Sequence, residues 1–440
     1  MRRALLIVGL LSVGCAQREA VDREALMDPA TCASCHPTHY QQWSGSMHAY
    51  AADDPVFTAI NQLGQRETNG ALGDFCIKCH APLAVATGAT KDGLNLNAVP
   101  RRLKGVTCYF CHQVDAVLND HNGALHLAED DAFRAGLDAP HPTPAHEMSY
   151  SPLHDAKRLA SSAMCGACHD VKNPAGTHLE RTYAEWRETI FARDGTTALS
   201  CSGCHMPASD GKAAEVEGAP LRRVHEHAMP GVDTALSRWP ETGAQLDGIQ
   251  RDLAGPIKTR LCASLTKEFT IEVILDNALV GHSWPSGVTH ARRAWVELKA
   301  YIDGKVAFSS GTLAPGEAVA NSSDPNLWLI RSHSFDAAGG PTTHAWNVAR
   351  IEDNLLTASV TTDPRDGRYY HAQSRKYAIS AGWPDRVDVK VHLQPMGLEL
   401  LDELIESGDL DPAVRERMPT FTLPAASVSW TSDRGLVCVE

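Results

Sequence analysis

Cys32-Ala33-Ser34-Cys35-His36 is the first of five copies of one pattern, and its reading decides what the surrounding chain must fold around. The others are Cys76-Ile77-Lys78-Cys79-His80, Cys108-Tyr109-Phe110-Cys111-His112, Cys165-Gly166-Ala167-Cys168-His169 and Cys201-Ser202-Gly203-Cys204-His205. In each, the two thiols can add across the two vinyl groups of a haem, and the adjacent imidazole then reaches the iron from one face. A lone Cys-x-x-Cys is equally a zinc or dithiol site. Yet 13 Cys and 21 His in 440 residues predict only roughly 0.02 chance matches to the full pattern, against five observed. The expectation is five covalently bound haems c, on Cys32 and Cys35, Cys76 and Cys79, Cys108 and Cys111, Cys165 and Cys168, and Cys201 and Cys204. His36, His80, His112, His169 and His205 would be their proximal ligands.

The chain ahead of the first motif reads as an export signal. Met1-Arg2-Arg3 is a basic start, Ala4 to Gly14 is an apolar run too short to span a bilayer, and Cys15 ends it. Leu11-Ser12-Val13-Gly14-Cys15 resembles a bacterial lipobox, with Ser12 where that pattern prefers Leu. The resemblance implies a lipid anchor on Cys15, and Ala16 after it favours the outer over the inner membrane. An ordinary cleaved signal with a stray thiol is the alternative. The expected location is the periplasm or outer membrane of a Gram-negative bacterium.

Composition bounds the remainder. A length of 440 residues makes two domains the natural expectation. The formal charge is −13 before any haem propionate is counted, so nucleic acid is excluded as a partner. Aromatic content of 6% is thin for an ordinary core of this size, but macrocycles can fill an interior that side chains otherwise would.

From residue 21 to 235 the chain reads as short helices joined by irregular loops, with about 35 residues per haem across the motifs. At that density neighbouring macrocycles lie close enough to exchange electrons. Tyr40-Gln41-Gln42-Trp43 followed by Ser46, and Tyr183-Ala184-Glu185-Trp186 followed by Thr189, form an imperfect repeat. Each Trp is expected to pack on a haem face or edge.

Cys32 to His36 followed by Tyr40, Trp43, Ser46 and His48 resembles the opening of the cytochrome c-552/c-554 family of multihaem cytochromes. Cys165 to Asp170, Glu185-Trp186 and Cys201 to Pro207 continue the likeness, which covers roughly residues 28 to 235. It implies an electron-transfer protein with closely stacked haems, mostly with two His ligands on each iron. A fifth motif and a large C-terminal extension depart from the four-haem type.

Sixth ligands must come from the other 16 histidines. The family pattern points to His48. If Pro37 to Tyr50 is one helix, His36 and His48 lie about 18 Å apart along it, so His48 serves a neighbouring haem. His146 and His154 precede the fourth motif. His227, in His227-Ala228-Met229-Pro230-Gly231, resembles an element that follows the last haem in related cytochromes, with His225 as its rival. His39, His121, His126, His141 and His178 are weaker candidates. Met206 adjoins its own proximal His205 and cannot reach the opposite face.

Residues 236–260 read as a polar linker with one short helix. Beyond it apolar residues alternate: Phe269, Ile271, Val273 and Leu275; Ala294, Val296, Leu298, Ala300 and Ile302 before the Asp303-Gly304 turn; Val387, Val389, Val391 and Leu393. Met396 to Ser407 interrupts as a helix. The fold class is therefore α+β and multidomain. A signal (1–15) precedes a haem-packed, mainly helical or irregular pentahaem domain (21–235), the linker (236–260) and an antiparallel β-sandwich (261–440).

Gly281-His282-Ser283-Trp284-Pro285-Ser286-Gly287 resembles a loop of multihaem cytochromes with a C-terminal β domain, which implies that His282 could ligate a haem across the interface. Arg292 and Arg293 could meet propionates or water. Cys262 and Cys438 are left over, just before the first strand and in the last, where a disulfide is geometrically reasonable in an oxidising compartment.

Three function classes survive. The first is an electron carrier with redox partner proteins, quinol-linked or other cytochromes. The second is an oxidoreductase acting on a small nitrogen or sulfur oxyanion at one open-coordinate haem. The third is a component of an extracellular conductive assembly. Five-haem nitrite reductases typically carry a Cys-x-x-Cys-Lys attachment, and none occurs here. No catalytic residue is nominated.

Overall fold

In the computed structural model, which describes residues 22–140, 145–265 and 267–440, the N-terminal half is built mostly of short helices, the 13-residue helix Pro55–Glu67 apart. The motifs require this. Cysteines at i and i+3 face the same way only on a helical turn, and some of these turns carry their own side-chain cap. Thr107 caps Cys108–Gln113 by accepting from Phe110 N, and Ser200 caps Cys201–His205 by accepting from Gly203 N. Small antiparallel hairpins separate the turns, among them Asp170–Lys172 with His178–Arg181 and Ala208–Lys212 with Leu221–His225.

The imperfect repeat is structural. Trp43 and Trp186 each donate their indole N–H to a backbone carbonyl two residues ahead of a motif, Val106 before Cys108 and Leu199 before Cys201. Ser46 and Thr189 each return a hydroxyl bond to the Trp carbonyl, at 2.7 and 2.8 Å. One departure is local. The helix expected from Pro37 to Tyr50 stops at Ser44, and Ser46 caps a second turn, Met47–Tyr50. Gly45 sits at the break because a Cβ there would lie 2.6 Å from the Cβ of Glu241.

The C-terminal half is two antiparallel sheets. Ten strands build them: β1 (Ile257–Leu265), β2 (Phe269–Asn277), β3 (Arg293–Ile302), β4 (Lys305–Ser310), β5 (Trp328–Ile330), β6 (Gln373–Ile379), β7 (Arg386–Gln394), β8 (Phe421–Thr422), β9 (Val428–Thr431) and β10 (Cys438–Val439). One sheet runs β6-β2-β1-β10; the other runs β4-β3-β7-β8, with β5 also on β3 and β9 also on β7. Ile271, Val273 and Leu275 from the first meet Val296, Leu298, Val389 and Trp430 from the second in one core, as the alternation in the sequence requires. Cys262 and Cys438 are register partners on β1 and β10 and form a disulfide, with Cα atoms 3.9 Å apart.

The halves share packing. The helix Leu398–Glu406 sends Leu398, Leu401 and Leu404 against Val56, Ala59 and Leu63 of the helix Pro55–Glu67. The stretch expected as a linker contains the helix Thr242–Asp252, whose Ile249 enters the β core and whose Gln245 amide bonds the Gly45 carbonyl. Among the described residues no helix is long and apolar enough to cross a membrane. Cys15 and His141 lie outside the described residues.

Candidate haem-binding site

One continuous cavity of about 1600 Å³ is lined by all ten motif cysteines and all five motif histidines. Its walls between them are apolar, with Phe57, Val106, Phe110, Phe133 and Met148 among the lining side chains. An interior this large and this apolar is not sealed by the chain's own side chains, which fits a macrocycle-filled core.

The motif imidazoles are held in one manner. Nδ1 faces the Ala213 carbonyl for His36 (2.5 Å), Ala51 for His80 (2.9 Å), Arg134 for His112 (2.6 Å) and Pro230 for His205 (3.2 Å). A carbonyl can only accept, so Nδ1 carries the proton and the Nε2 lone pair is left for a metal. His169 is the exception. Its Nδ1 faces a carboxylate, Glu180 Oε1 at 3.5 Å.

Four of these rings have a second imidazole across the cavity. Ring centres are 6.3 Å apart for His36 and His146, 6.1 Å for His169 and His48, 6.3 Å for His112 and His227, and 6.4 Å for His205 and His282. A metal between two ring nitrogens at about 2 Å each would set the centres about 6.3 Å apart. His154 is also near His112, at 5.7 Å, but its Nε2 is turned to the Cys111 carbonyl and its Nδ1 is buried without a partner. His39 stands 6.1 Å from His36 as well as edge-on to His227 at 4.7 Å, and His225 Nδ1 is tied to the Met206 carbonyl. Among the described residues no second imidazole stands at such spacing from His80, whose ring is stacked on Phe57 at 3.7 Å.

Electrostatics keep the opposing rings neutral, as a ligand must be. Burial lowers His48, His227 and His282 to about 4 and His112 to about 3. His169 differs again: burial acts to lower it, but the hydrogen bond and charge of Glu180 bring it above the ordinary value. His48 Nδ1 rests on the Met229 sulfur at 3.1 Å, and the Nδ1 atoms of His227 and His282 on the carbonyls of His225 and Ser283.

The motifs are neighbours through their thiols. Cys32 lies against Cys108, Cys79 against Cys168, and Cys165 against Cys201. Cys111 is close enough to act on both Cys165 and Cys168. The fourth motif thus touches two others, the second and the fifth, and lies near the third, which touches the first.

Arg292 lines the cavity, whereas Arg293 does not, and both are held by carboxylates. Arg292 makes a two-pronged pair with Asp233 at 2.8 and 2.9 Å, and the fully buried Arg293 pairs with Glu399. Sequence reading passed over Glu180, Met229, Phe57 and the buried His290, which also line the cavity. His290 shares a loop with His282, the one signal that could have drawn attention to it.

Residues 31–113 match the family described as cytochrome c554 and c-prime. The fold is similar to that of a penta-heme cytochrome c552 from Thermochromatium tepidum, with a TM-score of 0.64 and 20% identity over 92% of this chain and 98% of that one. No curated protein matches the chain. With the motifs and the cavity, these findings support a multihaem c-type cytochrome of the c552/c554 family, and that family implies covalently bound haem c.

Proposed function

We propose that the protein is an exported electron carrier holding five haems c, four of them between two histidines. The observation that carries this reading is the set of four opposed imidazole pairs at 6.1 to 6.4 Å inside one cavity lined by every motif. The pairs are His36 with His146, His169 with His48, His112 with His227, and His205 with His282. Bound haem supplies one-electron chemistry at iron. The chain's contribution is to fix each ring by its Nδ1 partner, to keep His48, His112, His227 and His282 neutral by burial, and to hold the motifs thiol to thiol. In this reading residues 21–235 are the haem domain, and the 261–440 β-sandwich lends His282 across to it. Redox proteins are the partners, and Cys15 carries a lipid anchor in the periplasm or at the outer membrane.

Among the described residues no imidazole faces His80, which favours a second reading for that one haem, an open position at which a small oxyanion could react. Intact-mass spectrometry and EPR of the purified protein test both. The expected result is a mass increase of five haems, low-spin signals for four and a high-spin ferric signal for one that cyanide converts to low-spin. His282→Ala should add one further high-spin haem while its thioethers keep it attached. Five low-spin haems would remove the second reading, and an unchanged spectrum of His282→Ala would break the pairing scheme.

A further inference from the structure

The five motif histidines are not equivalent, and the odd one is at the centre. Four offer Nδ1 to a neutral backbone carbonyl, whereas His169 offers it to the carboxylate of Glu180. Glu180 is placed there by a two-strand hairpin that starts directly after the fourth motif, with Val171 opposite Glu180 in register. Its side chain is 13% exposed and lines the cavity, and among the described residues no Lys or Arg nitrogen lies within 4 Å of it. The opposing His48 is backed only by the thioether of Met229, a weak acceptor, so nothing on that side offsets the carboxylate.

A carboxylate on the outer nitrogen of a ligating histidine raises the basicity of the ring and stabilises the more highly charged metal. Resting on the ligation proposed above, we infer that Glu180 is a positioning residue that makes the haem of Cys165, Cys168 and His169 the lowest in potential of the set. The step it biases is ferric iron plus one electron giving ferrous iron. No bond breaks and no proton moves; the electron arrives from a neighbouring haem and leaves to another. Because the fourth motif touches the second and the fifth, with Cys111 of the third close by, the low point lies at the junction of the network. Electrons would rest on the outer haems and cross the junction without accumulating there, which keeps the branches separate stores.

The test is an EPR-monitored redox titration of the holoprotein with dithionite as reductant. In the wild type one low-spin signal should persist below all the others. Glu180→Gln keeps the shape and hydrogen bond but removes the charge. It should make that one haem at least tenfold easier to reduce, which is 59 mV for one electron, and leave the other midpoints in place. Glu180→Asp, which keeps the charge, should stay nearer the wild type. If Glu180→Gln does not fold, the wild-type titration still decides, since midpoints clustered within a tenfold range would overturn the inference. A variant with all midpoints unmoved would overturn it as well. Either failure, with four low-spin signals intact, leaves the ligand pairing standing, whereas loss of those signals in the wild type strikes the pairing itself.

Discussion

Thiol reductants should act on one bond in this protein, and the cost can be worked from the chain. Ten cysteines belong to motifs whose sulfurs would be thioethers, which do not exchange with thiols, so Cys262–Cys438 is the bond left to reduce. It spans 176 residues with no motif inside the loop, so no other covalent link shortens it. Opening a loop that long returns about 5 kcal/mol of entropy to the unfolded chain, against a usual range of about 2–5 kcal/mol for a native disulfide. The native state offers little in exchange. β10 pairs with β1 at two positions, and Val439 is its contribution to the core. With a urea m-value of about 2 kcal/mol per molar, the unfolding midpoint of the β half should fall by about 1–2.5 M. Far-UV circular dichroism in urea, with and without dithiothreitol, reads this directly, and a thiol count of two confirms the reduction. A midpoint that stays put while two thiols titrate would refute the entropic argument.

Two further consequences are open to measurement. Gly166→Ala places a Cβ 2.2 Å from the Tyr183 ring inside the fourth motif, so the ring must move. A loss of about 1–3 kcal/mol in thermal or urea unfolding is expected, and no loss would mean that Tyr183 yields freely. Asp54, pushed up to about 6 chiefly by burial, binds its proton more tightly folded than unfolded. Its contribution to stability is therefore present below about pH 4 and lost as pH rises through about 6, on the order of 2–3 kcal/mol at most. Asp54→Asn keeps the acceptor that caps Val56 N and should flatten that slope, and an unchanged slope between pH 4 and 6 would exonerate Asp54.

Much of this arrangement was legible because its signals are local. A motif of five residues carries its own geometry, and alternation over β2, β3 and β7 announces strands whatever surrounds them. The Cys262–Cys438 pair followed from strand order and compartment, and it is present. Opposing ligands are different, because the N-terminal half is mostly short helices and loops and any histidine can be carried across the cavity. His146 and His154 lie eight residues apart and look alike in sequence. They are separated only by which nitrogen the fold leaves unbound at His154, where Cys111 takes Nε2. From the sequence, Arg292 and Arg293 could meet propionates or water. Their carboxylates, Asp233 and Glu399, are 59 and 106 residues away, beyond any local pattern.

The placement of His282 bears on how the halves depend on one another. An expected boundary at 236–260 puts this residue in the β half, yet its ring stands parallel to that of His205, within 8°, at the spacing of an opposed pair. The loop that carries it is fixed by both sides. Glu185 from the haem half accepts from Ser283 N, and Asn277 at the end of β2 donates to the His282 carbonyl. Leu398, Leu401 and Leu404 add an apolar joint to the helix Pro55–Glu67, next to the turn that brings Asp54 to the cavity. Burial of three leucine side chains favours the joint by about 5–9 kcal/mol before ordering costs. A chain ended after residue 260 would lose that joint, the ring opposite His205 and the arginine that neutralises Asp233 in the same cut. On the proposed ligation the β half is part of what holds the haems, and the N-terminal half should not retain its spectrum without it.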